Sequence, residues 1–267
     1  MINVKIFDLE GNPGKEIELP KEFHQQVRED LIMRAVQAEN TLDLQPQGHF
    51  PLAGMQTTAT YYGAMNSYRT GRHMGVAIRP RQKLGGGRQG LVRRIPSSVK
   101  GKRAHPHVIE KKLVERMNKK EYNKAIISAI SATASVEHVK DAKSVPIVVA
   151  KGMESIKQTR AATALFSKLG LSNYLEECRS RKRLKKGASR SSAQRRYKKS
   201  VLVVVAEDHG IVKAVRNIAG ADACTVSNIT ARLLAPGGKP GRVTVWSEDA
   251  VRAVASSHMA FSLGKKV

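Results

Sequence analysis

Three glycines in a basic stretch have the spacing of a phosphate-binding loop. Gly85, Gly87 and Gly90 match the Gly-x-Gly-x-x-Gly fingerprint of dinucleotide-binding enzymes, and Glu110 follows 20 residues after the last glycine. In such a loop the glycines join a buried strand to a helix N-terminus, whose free N–H groups bind the pyrophosphate. Here the six preceding residues are too charged for a buried strand, and the ten following ones contain a proline and two serines. This context argues against a cofactor loop.

Glu207, Asp208 and His209 form the best remaining candidate for catalysis. They follow the apolar run Val201 to Ala206, and parallel α/β sheets place their chemistry beyond the carboxyl ends of the strands. The same positions suit a simpler role, because an acidic side chain before a helix accepts hydrogen bonds from the first N–H groups of that helix. Helix capping is the favoured interpretation, and we predict no catalytic residue.

The histidine and cysteine spacing does not indicate a metal site. His105 and His107 have no carboxylate or cysteine cluster near them in sequence, so a contact with solvent or RNA is favoured over metal ligation. Cys178 and Cys224 are the only cysteines and lack Cys-x-x-Cys spacing, which favours plain thiols. We therefore expect no metal and no cofactor. Without a signal peptide or an apolar run long enough for a membrane span, a cytoplasmic protein is expected.

The basic residues are concentrated in two segments that contain no acidic residue. The chain has 47 Lys and Arg against 22 Asp and Glu, a net charge of +25, with only 4% aromatic residues. The first segment, between Asp43 and Glu110, contains Arg69, Arg72, Arg79, Arg81, Lys83, Arg88, Arg93, Arg94, Lys100, Lys102 and Arg103. The second, between Glu177 and Glu207, contains Arg179, Arg181, Lys182, Arg183, Lys185, Lys186, Arg190, Arg195, Arg196, Lys198 and Lys199. A solvated face is the alternative, but two such runs favour nucleic acid as a partner.

The first basic segment is not expected to fold independently. Residues 44–107 are rich in Gly, Gln, Thr, Arg and Pro and have few large apolar side chains at a helical or strand period, so a partner must supply their order. Arginine outnumbers lysine there, which favours phosphate, because the planar guanidinium forks onto oxyanions and stacks on bases. We predict an extended basic loop at residues 44–107, inserted into a globular domain of residues 1–43 and 108–267. A second basic segment, residues 178–206, lies within that domain.

The remaining sequence alternates strands and helices. Val4 to Leu9 and Glu16 to Leu19 predict an opening hairpin, and an apolar stripe predicts a helix from Pro20 to about residue 38. Continuous β-branched runs predict buried parallel strands. We expect such strands at residues 146–150, 201–206, 223–227 and 243–246, and helices at 108–134, 157–169, 172–183, 209–219 and 247–257. The predicted fold is α/β, with a Rossmann-like, mostly parallel sheet and helices on both faces.

Two groups of motifs resemble one known family. The first comprises Pro-Arg-Gln at residues 80–82, the glycine- and arginine-rich residues 85–94, and Ala-His-Pro at residues 104–106. The second comprises Leu-Ala-Pro-Gly-Gly at residues 234–238 and Gly-Arg-Val-Thr-Val-Trp at residues 241–246. They resemble the universal large-subunit ribosomal protein four family in its archaeal and eukaryotic branch. The lack of a long carboxyl-terminal extension favours an archaeal source.

The resemblance implies a structural protein of the large ribosomal subunit, with no enzymatic activity. Such a protein binds 23S-type rRNA and neighbouring large-subunit proteins and assists subunit assembly, without a membrane or a homo-oligomer. Its long loop is implied to pass through rRNA to the polypeptide exit tunnel, with the tip near the nascent chain. The tunnel-lining candidates are Arg72, His73, Met74, Arg79 and Arg81. The candidate rRNA-binding residues are the eleven cations of the first segment and those of the second from Arg179 to Arg196.

Two other classes of function remain as alternatives. An RNA-modifying or nucleotide-dependent enzyme on the same fold predicts thermal stabilisation by nucleotides. A DNA-compacting protein is suggested by charge alone, and it predicts that duplex DNA binds as tightly as rRNA fragments at equal salt.

Overall fold

The computed structural model of this chain describes residues 3–64, 72, 74–83, 87–139, 145–184 and 195–256. The chain divides into two compact units. The first unit comprises residues 1–43 and 114–267, and the second comprises residues 44–113. The predicted basic loop lies within the second unit, and the second basic segment lies within the first.

A six-stranded sheet forms the centre of the first unit. The strands among the described residues are β1 (Asn3–Phe7), β2 (Pro13–Glu18), β3 (Ile147–Val149), β4 (Arg183–Leu184), β5 (Arg195–Arg196), β6 (Leu202–Val205), β7 (Asp222–Thr225) and β8 (Thr244–Ser247). The sheet order is β2-β1-β3-β8-β6-β7, and only the β1–β2 pair is antiparallel. The remaining two strands, β4 and β5, pair separately as a short antiparallel ribbon.

Seven α-helices accompany the strands among the described residues. They are α1 (Glu29–Leu42), α2 (Lys119–Ala134), α3 (Thr159–Lys168), α4 (Ser172–Ser180), α5 (Ile211–Arg216), α6 (Ala231–Leu234) and α7 (Glu248–Ser256). The central strands are only three or four residues long, and every residue of β3, β6 and β8 is buried. Burial on both faces favours apolar side chains at every position, which explains the continuous apolar sequences of β3 and β6, whereas β8 also buries Thr244 and Ser247 at its ends.

Alternation along the strands gives the sheet two hydrophobic cores. Successive side chains of a strand point to opposite faces, so Leu202 and Val204 enter one core while Val203 and Val205 enter the other. The first core also receives side chains of α1, α2, α6 and α7, and the second receives those of α3, α4 and α5. The predicted α/β fold with helices on both faces of a mostly parallel sheet is therefore confirmed.

The helix predicted from Pro20 begins later than expected. Lys21–His24 forms a single 3-10 turn, and α1 starts at Glu29. The intervening backbone is bound by two serines of α2, because Ser131 donates to the carbonyls of Phe23 and Gln25 and Ser128 accepts from the N–H of Arg28. These hydrogen bonds hold the segment extended in place of the first helical turns.

The helix predicted over residues 108–134 is also shorter, since α2 begins at Lys119. Before it, the backbone N–H of Glu115 donates to the hydroxyl of Thr41 over 3.0 Å, and Met117 enters the first core. These tertiary contacts favour a non-helical approach to α2. The described part of the second unit contains no helix, only isolated bridges that pair Thr60 with Arg81 and Arg81 with Val92.

Candidate nucleic-acid interface

Backbone hydrogen bonds in the second unit bring three stretches side by side, two of which are basic. Thr60 and Arg81 exchange two N–H···O bonds of 3.2 Å, which pairs residue 60 with the segment around residue 81. On the other side of that segment, Gln82 donates to the carbonyl of Leu91 over 2.9 Å and Arg93 donates to that of Pro80 over 3.0 Å. The result is a narrow three-stranded ribbon with the segment of Arg81 in its middle.

The glycine fingerprint forms a turn of this ribbon. Gly90 has a φ of 76°, a conformation that favours glycine, and its N–H donates to the carbonyl of Gln82 over 2.8 Å. Among the described residues next to Gly87 and Gly90 there is neither a helix nor a buried strand, while Gly85 lies outside the described residues. Because the Gly90 N–H has a partner and no helix N-terminus follows, the loop lacks the geometry that binds a pyrophosphate.

Three of the candidate arginines donate to backbone carbonyls within the second unit. Arg81 donates to Gly90 over 3.0 Å and to Ala77 over 3.1 Å. Arg93 is only 9% exposed, and its guanidinium donates to the carbonyl of Val99. Arg94 donates to Met55 over 3.1 Å. A guanidinium has five N–H groups, so the half-buried Arg81 and Arg94 retain donors for an oxyanion, whereas Arg93 faces inward.

The other described cations of this segment carry a dense, unopposed positive charge. The exposed cations among the described residues of the first basic segment are Arg79, Lys83, Arg88, Lys100, Lys102 and Arg103. Lys83 lies 4.0 Å from the ring centre of Tyr62 and hydrogen-bonds its hydroxyl. That bond, with one from Thr60, lowers the pKa of Tyr62. A cation on an aromatic ring is an arrangement that also suits stacked bases.

The candidate tip is described only in part. Met74 is 67% exposed and Arg79 is exposed, whereas Arg72 is half-buried. Arg69 and His73 lie outside the described residues, as do Lys185, Lys186 and Arg190 of the second segment.

The second basic segment follows the end of α4. Arg179, Arg181 and Lys182 are exposed, and the ribbon of β4 and β5 then pairs Arg183 with Arg196 and Leu184 with Arg195. Among the described residues, acidic side chains reduce this charge at two points. Glu177 lies 3.1 Å from Arg181 and 3.0 Å from Lys198, and Asp222 lies 2.5 Å from Lys199. The hydrogen bond from Lys198, with the charge of Arg181, lowers the pKa of Glu177. Exposed pairs of this kind add little stability, so most of the local charge remains available to a partner.

The candidate catalytic group is a helix cap. Asp208 Oδ1 accepts from the N–H groups of Gly210 over 2.9 Å and Val212 over 3.3 Å, at the start of α5. His209 lies 3.6 Å from Glu207, and both side chains are exposed. The capping interpretation is confirmed, and the group lacks the buried, oriented base that general catalysis uses.

Metal-binding and thiol chemistry receive no support from the described residues. They contain no cluster of three or more His, Cys, Asp or Glu side chains able to hold a metal ion. Cys178 and Cys224 are free and buried, and burial raises both pKa values, that of Cys224 to about 12. Such thiols react poorly because the thiolate is the nucleophile. Across the described ranges, no helix is long and apolar enough to cross a membrane.

Glu39 is a buried residue whose role the sequence did not reveal. Its carboxylate accepts from Tyr122 Oη over 2.7 Å and from the N–H groups of Ala231 and Arg232 over 2.7 and 3.0 Å. It thereby caps α6, the helix that leads into the Leu-Ala-Pro-Gly-Gly motif. Burial, together with the charge of Glu39, raises the pKa of Tyr122. A lone glutamate in an amphipathic helix gives no sequence signal of this position.

Arg242 belongs to the Gly-Arg-Val-Thr-Val-Trp motif at residues 241–246, and its contacts show what this motif does. Its side chain is about 1% exposed and donates to the carbonyls of Ser200, Val201 and Leu233 over 2.8 to 3.1 Å, and to Asp222 Oδ2 over 2.7 Å. Gly241 must be a glycine there, since its φ is 105° and an added Cβ would lie 2.2 Å from the carbonyl oxygen of His138. The Gly-Arg pair is therefore structural.

Comparison with known proteins agrees with these features. Residues 17–257 match the ribosomal protein L4/L1 family. The large ribosomal subunit protein uL4 of Archaeoglobus fulgidus is 40% identical over 257 residues, covering 94% of this chain and 97% of the relative. The proteins of the same name from Methanocaldococcus jannaschii and Methanococcus vannielii are each 38% identical, over 92% and 94% of this chain and 95% and 97% of the relatives.

These relatives are archaeal, as the motifs predicted. They are named as ribosomal proteins, which are not enzymes, so the prediction of a non-enzymatic chain is confirmed by its relatives. A ribosomal location follows from the same comparison. The chain belongs to the ribosomal protein L4/L1 family.

Proposed function

We propose that this chain is a structural protein of the large ribosomal subunit and binds 23S-type rRNA through its two basic segments. The observation that carries this proposal is the set of exposed cations between residues 79 and 103, in a segment without a single acidic residue. Phosphates would neutralise this charge, and the counterions released from the RNA would favour binding. Neighbouring large-subunit proteins are the expected protein partners.

The predicted globular domain and the predicted basic segments are proposed to divide this work. Residues 1–43 and 108–267 form the globular domain, residues 44–107 form the loop that enters the rRNA, and residues 178–206 supply a second rRNA-binding surface. The inward-facing Arg93 maintains the ribbon, while exposed side chains such as Arg79, Arg88 and Arg103 contact phosphates. Binding of rRNA early in assembly would then order the loop within the subunit.

The loop tip is proposed to reach the polypeptide exit tunnel and to meet the nascent chain. The family resemblance supports this location, and the exposure of Met74 and Arg79 is compatible with it. A photoreactive residue at position 74 is expected to crosslink to nascent chains in translating ribosomes. Crosslinks to rRNA alone would contradict a place at the tunnel wall.

Cosedimentation with the large subunit through a high-salt gradient tests the rRNA-binding function. The wild-type chain is expected to remain with the subunit, whereas a triple Arg79→Ala, Arg88→Ala, Arg103→Ala variant is expected to dissociate at lower salt. A matched control replaces three exposed cations outside both segments, Lys157, Arg160 and Lys213, and should behave as wild type. Release of the wild-type chain at moderate salt, or equal behaviour of both variants, would contradict the proposal.

A comparison of rRNA with duplex DNA distinguishes the proposed function from the DNA-compacting alternative. At equal salt, the chain is expected to bind large-subunit rRNA fragments more tightly than duplex DNA of equal length. Equal affinities would favour non-specific charge binding.

A further inference from the structure

We propose that an open cleft in the first unit, lined by Tyr197, Lys199, Arg216 and Asn217, accepts an unpaired nucleotide of RNA. The inference rests on the proposed rRNA-binding function, but it concerns residues outside the candidate rRNA-binding set. The cleft has a volume of about 780 Å³, within the usual range for small-ligand sites. It combines an aromatic ring, two cations and a side-chain amide, which is the chemistry that recognises single-stranded RNA.

The cleft lies at the edge of the sheet where α/β enzymes do not place their active sites. Asp222 begins β7 and Lys199 precedes β6, so the cleft lies at the amino ends of these parallel strands. Cofactors and substrates of open α/β sheets bind at the opposite, carboxyl edge. The cleft also adjoins the β4–β5 ribbon, because Tyr197 directly follows Arg196. It therefore extends the second basic segment.

Two ion pairs position Lys199 beside this cleft. Arg242 holds one carboxylate oxygen of Asp222 at 2.7 Å, and the ammonium of Lys199 binds the other. Asp222 is thus shared between two cations, so the three side chains of Arg242, Asp222 and Lys199 together carry a net positive charge. The buried arginine anchors the aspartate, and the aspartate positions Lys199 at the rim of the cleft.

Among the described residues, the side chains of Arg216 and Tyr197 are parts of the cleft that have no hydrogen-bond or ion-pair partner. Arg216 is exposed at the end of α5 and has no hydrogen bond or ion pair with the described residues. Tyr197 also lines the cleft and is 37% exposed. A base stacked on the Tyr197 ring would place its phosphate among the cations of Arg216 and Lys199. Asn217 could then donate to or accept from the edge of the base.

Ultraviolet crosslinking of the full chain bound to a large-subunit rRNA transcript tests this arrangement directly. A nucleotide adduct is expected on the peptide that contains Tyr197. Crosslinks confined to residues 44–113, with none at the cleft, would contradict the inference.

Binding measurements on the same transcript provide the second test. Tyr197→Ala is expected to weaken binding about 5- to 100-fold, as loss of one stacked base does, whereas Tyr197→Phe should retain affinity. Arg216→Ala should lower the slope of log affinity against log salt by about 0.7 to 0.9, and Arg216→Lys should restore it. Lys213→Ala, on the same helix but outside the cleft, is the matched control.

The outcomes separate the inference from the function on which it rests. If the wild-type chain binds rRNA and Tyr197→Ala binds equally well, the cleft inference fails and the rRNA-binding function stands. If the wild-type chain does not bind rRNA, both fail. With a fully paired RNA duplex as the probe, Tyr197→Ala should match wild type, because paired bases offer no free face to the ring.

Discussion

The guanidinium of Arg93 donates a hydrogen bond to the backbone carbonyl of Val99. This cation of the first basic segment therefore stabilises the segment to which it belongs. Arg94, its neighbour, has a φ of 68° and donates instead to Met55. Both arginines therefore hydrogen-bond within their own unit, but Arg93 is buried while Arg94 is half-buried. Substitutions at the two positions should have different consequences.

Arg93→Ala is expected to loosen the second unit without a matching loss of phosphate contacts. The variant loses a buried hydrogen bond from a charged donor, worth about 1.5 to 3 kcal/mol. Limited proteolysis within residues 44–113 should accelerate, while the salt dependence of rRNA binding should stay near that of wild type. Arg88→Ala is the matched exposed variant, which should lower the salt slope by about 0.7 to 0.9 and leave proteolysis unchanged. The reverse pattern would assign Arg93 to the phosphate contacts.

Glu39→Ala should be among the most destabilising single changes in the first unit. It leaves the Tyr122 hydroxyl and the N–H groups of Ala231 and Arg232 without their acceptor, and each unsatisfied buried group costs about 1 to 3 kcal/mol. We expect a loss of about 3 kcal/mol or more in urea unfolding. Tyr122→Phe, which removes one donor and leaves the cap of α6 intact, should cost about 1 kcal/mol. Equal losses from the two variants would contradict this division.

The ion pair between Arg242 and Asp222 should make stability depend on acid pH. Burial alone would raise the pKa of Asp222, but Lys199 and Arg242 lower it below its usual value. A carboxyl group with a lowered folded pKa stabilises the fold above its unfolded pKa of about 3.9, and this contribution is lost as the pH falls toward the folded value. Urea unfolding between pH 6 and pH 2 should therefore show a loss that Asp222→Asn largely removes. A pH profile that Asp222→Asn leaves unchanged would contradict this role.

The strands could be predicted from sequence because their signal is local. Ile147 to Val149 and Leu202 to Val205 are continuous apolar runs, and burial on both faces requires that pattern. The start of α1 could not be predicted, since it is determined by hydrogen bonds from Ser128 and Ser131, about a hundred residues away. Long-range contacts of this kind override local helical periodicity.

The candidate interface was predictable as a region and less so residue by residue. The absence of acids between Asp43 and Glu110 is visible in the sequence, and it locates the charge. The orientation of each cation depends on the ribbon, in which Arg93 faces inward while Arg88 is exposed. Arg242 resembles any surface arginine in sequence, although the carbonyls around it make it a buried support of the sheet.

Asp208→Ala distinguishes a helix cap from a catalytic group. The carboxylate accepts from the N–H groups of Gly210 and Val212, and loss of such a cap costs about 0.5 to 2 kcal/mol. The variant should unfold at lower urea, whereas its affinity for rRNA and its cosedimentation with the large subunit should match wild type. Asp208→Ser should recover much of the stability, because serine also caps helices. Nucleotide-dependent thermal stabilisation of the wild-type chain that disappears in Asp208→Ala would instead indicate a nucleotide site at the carboxyl edge of the sheet, and would contradict the capping role.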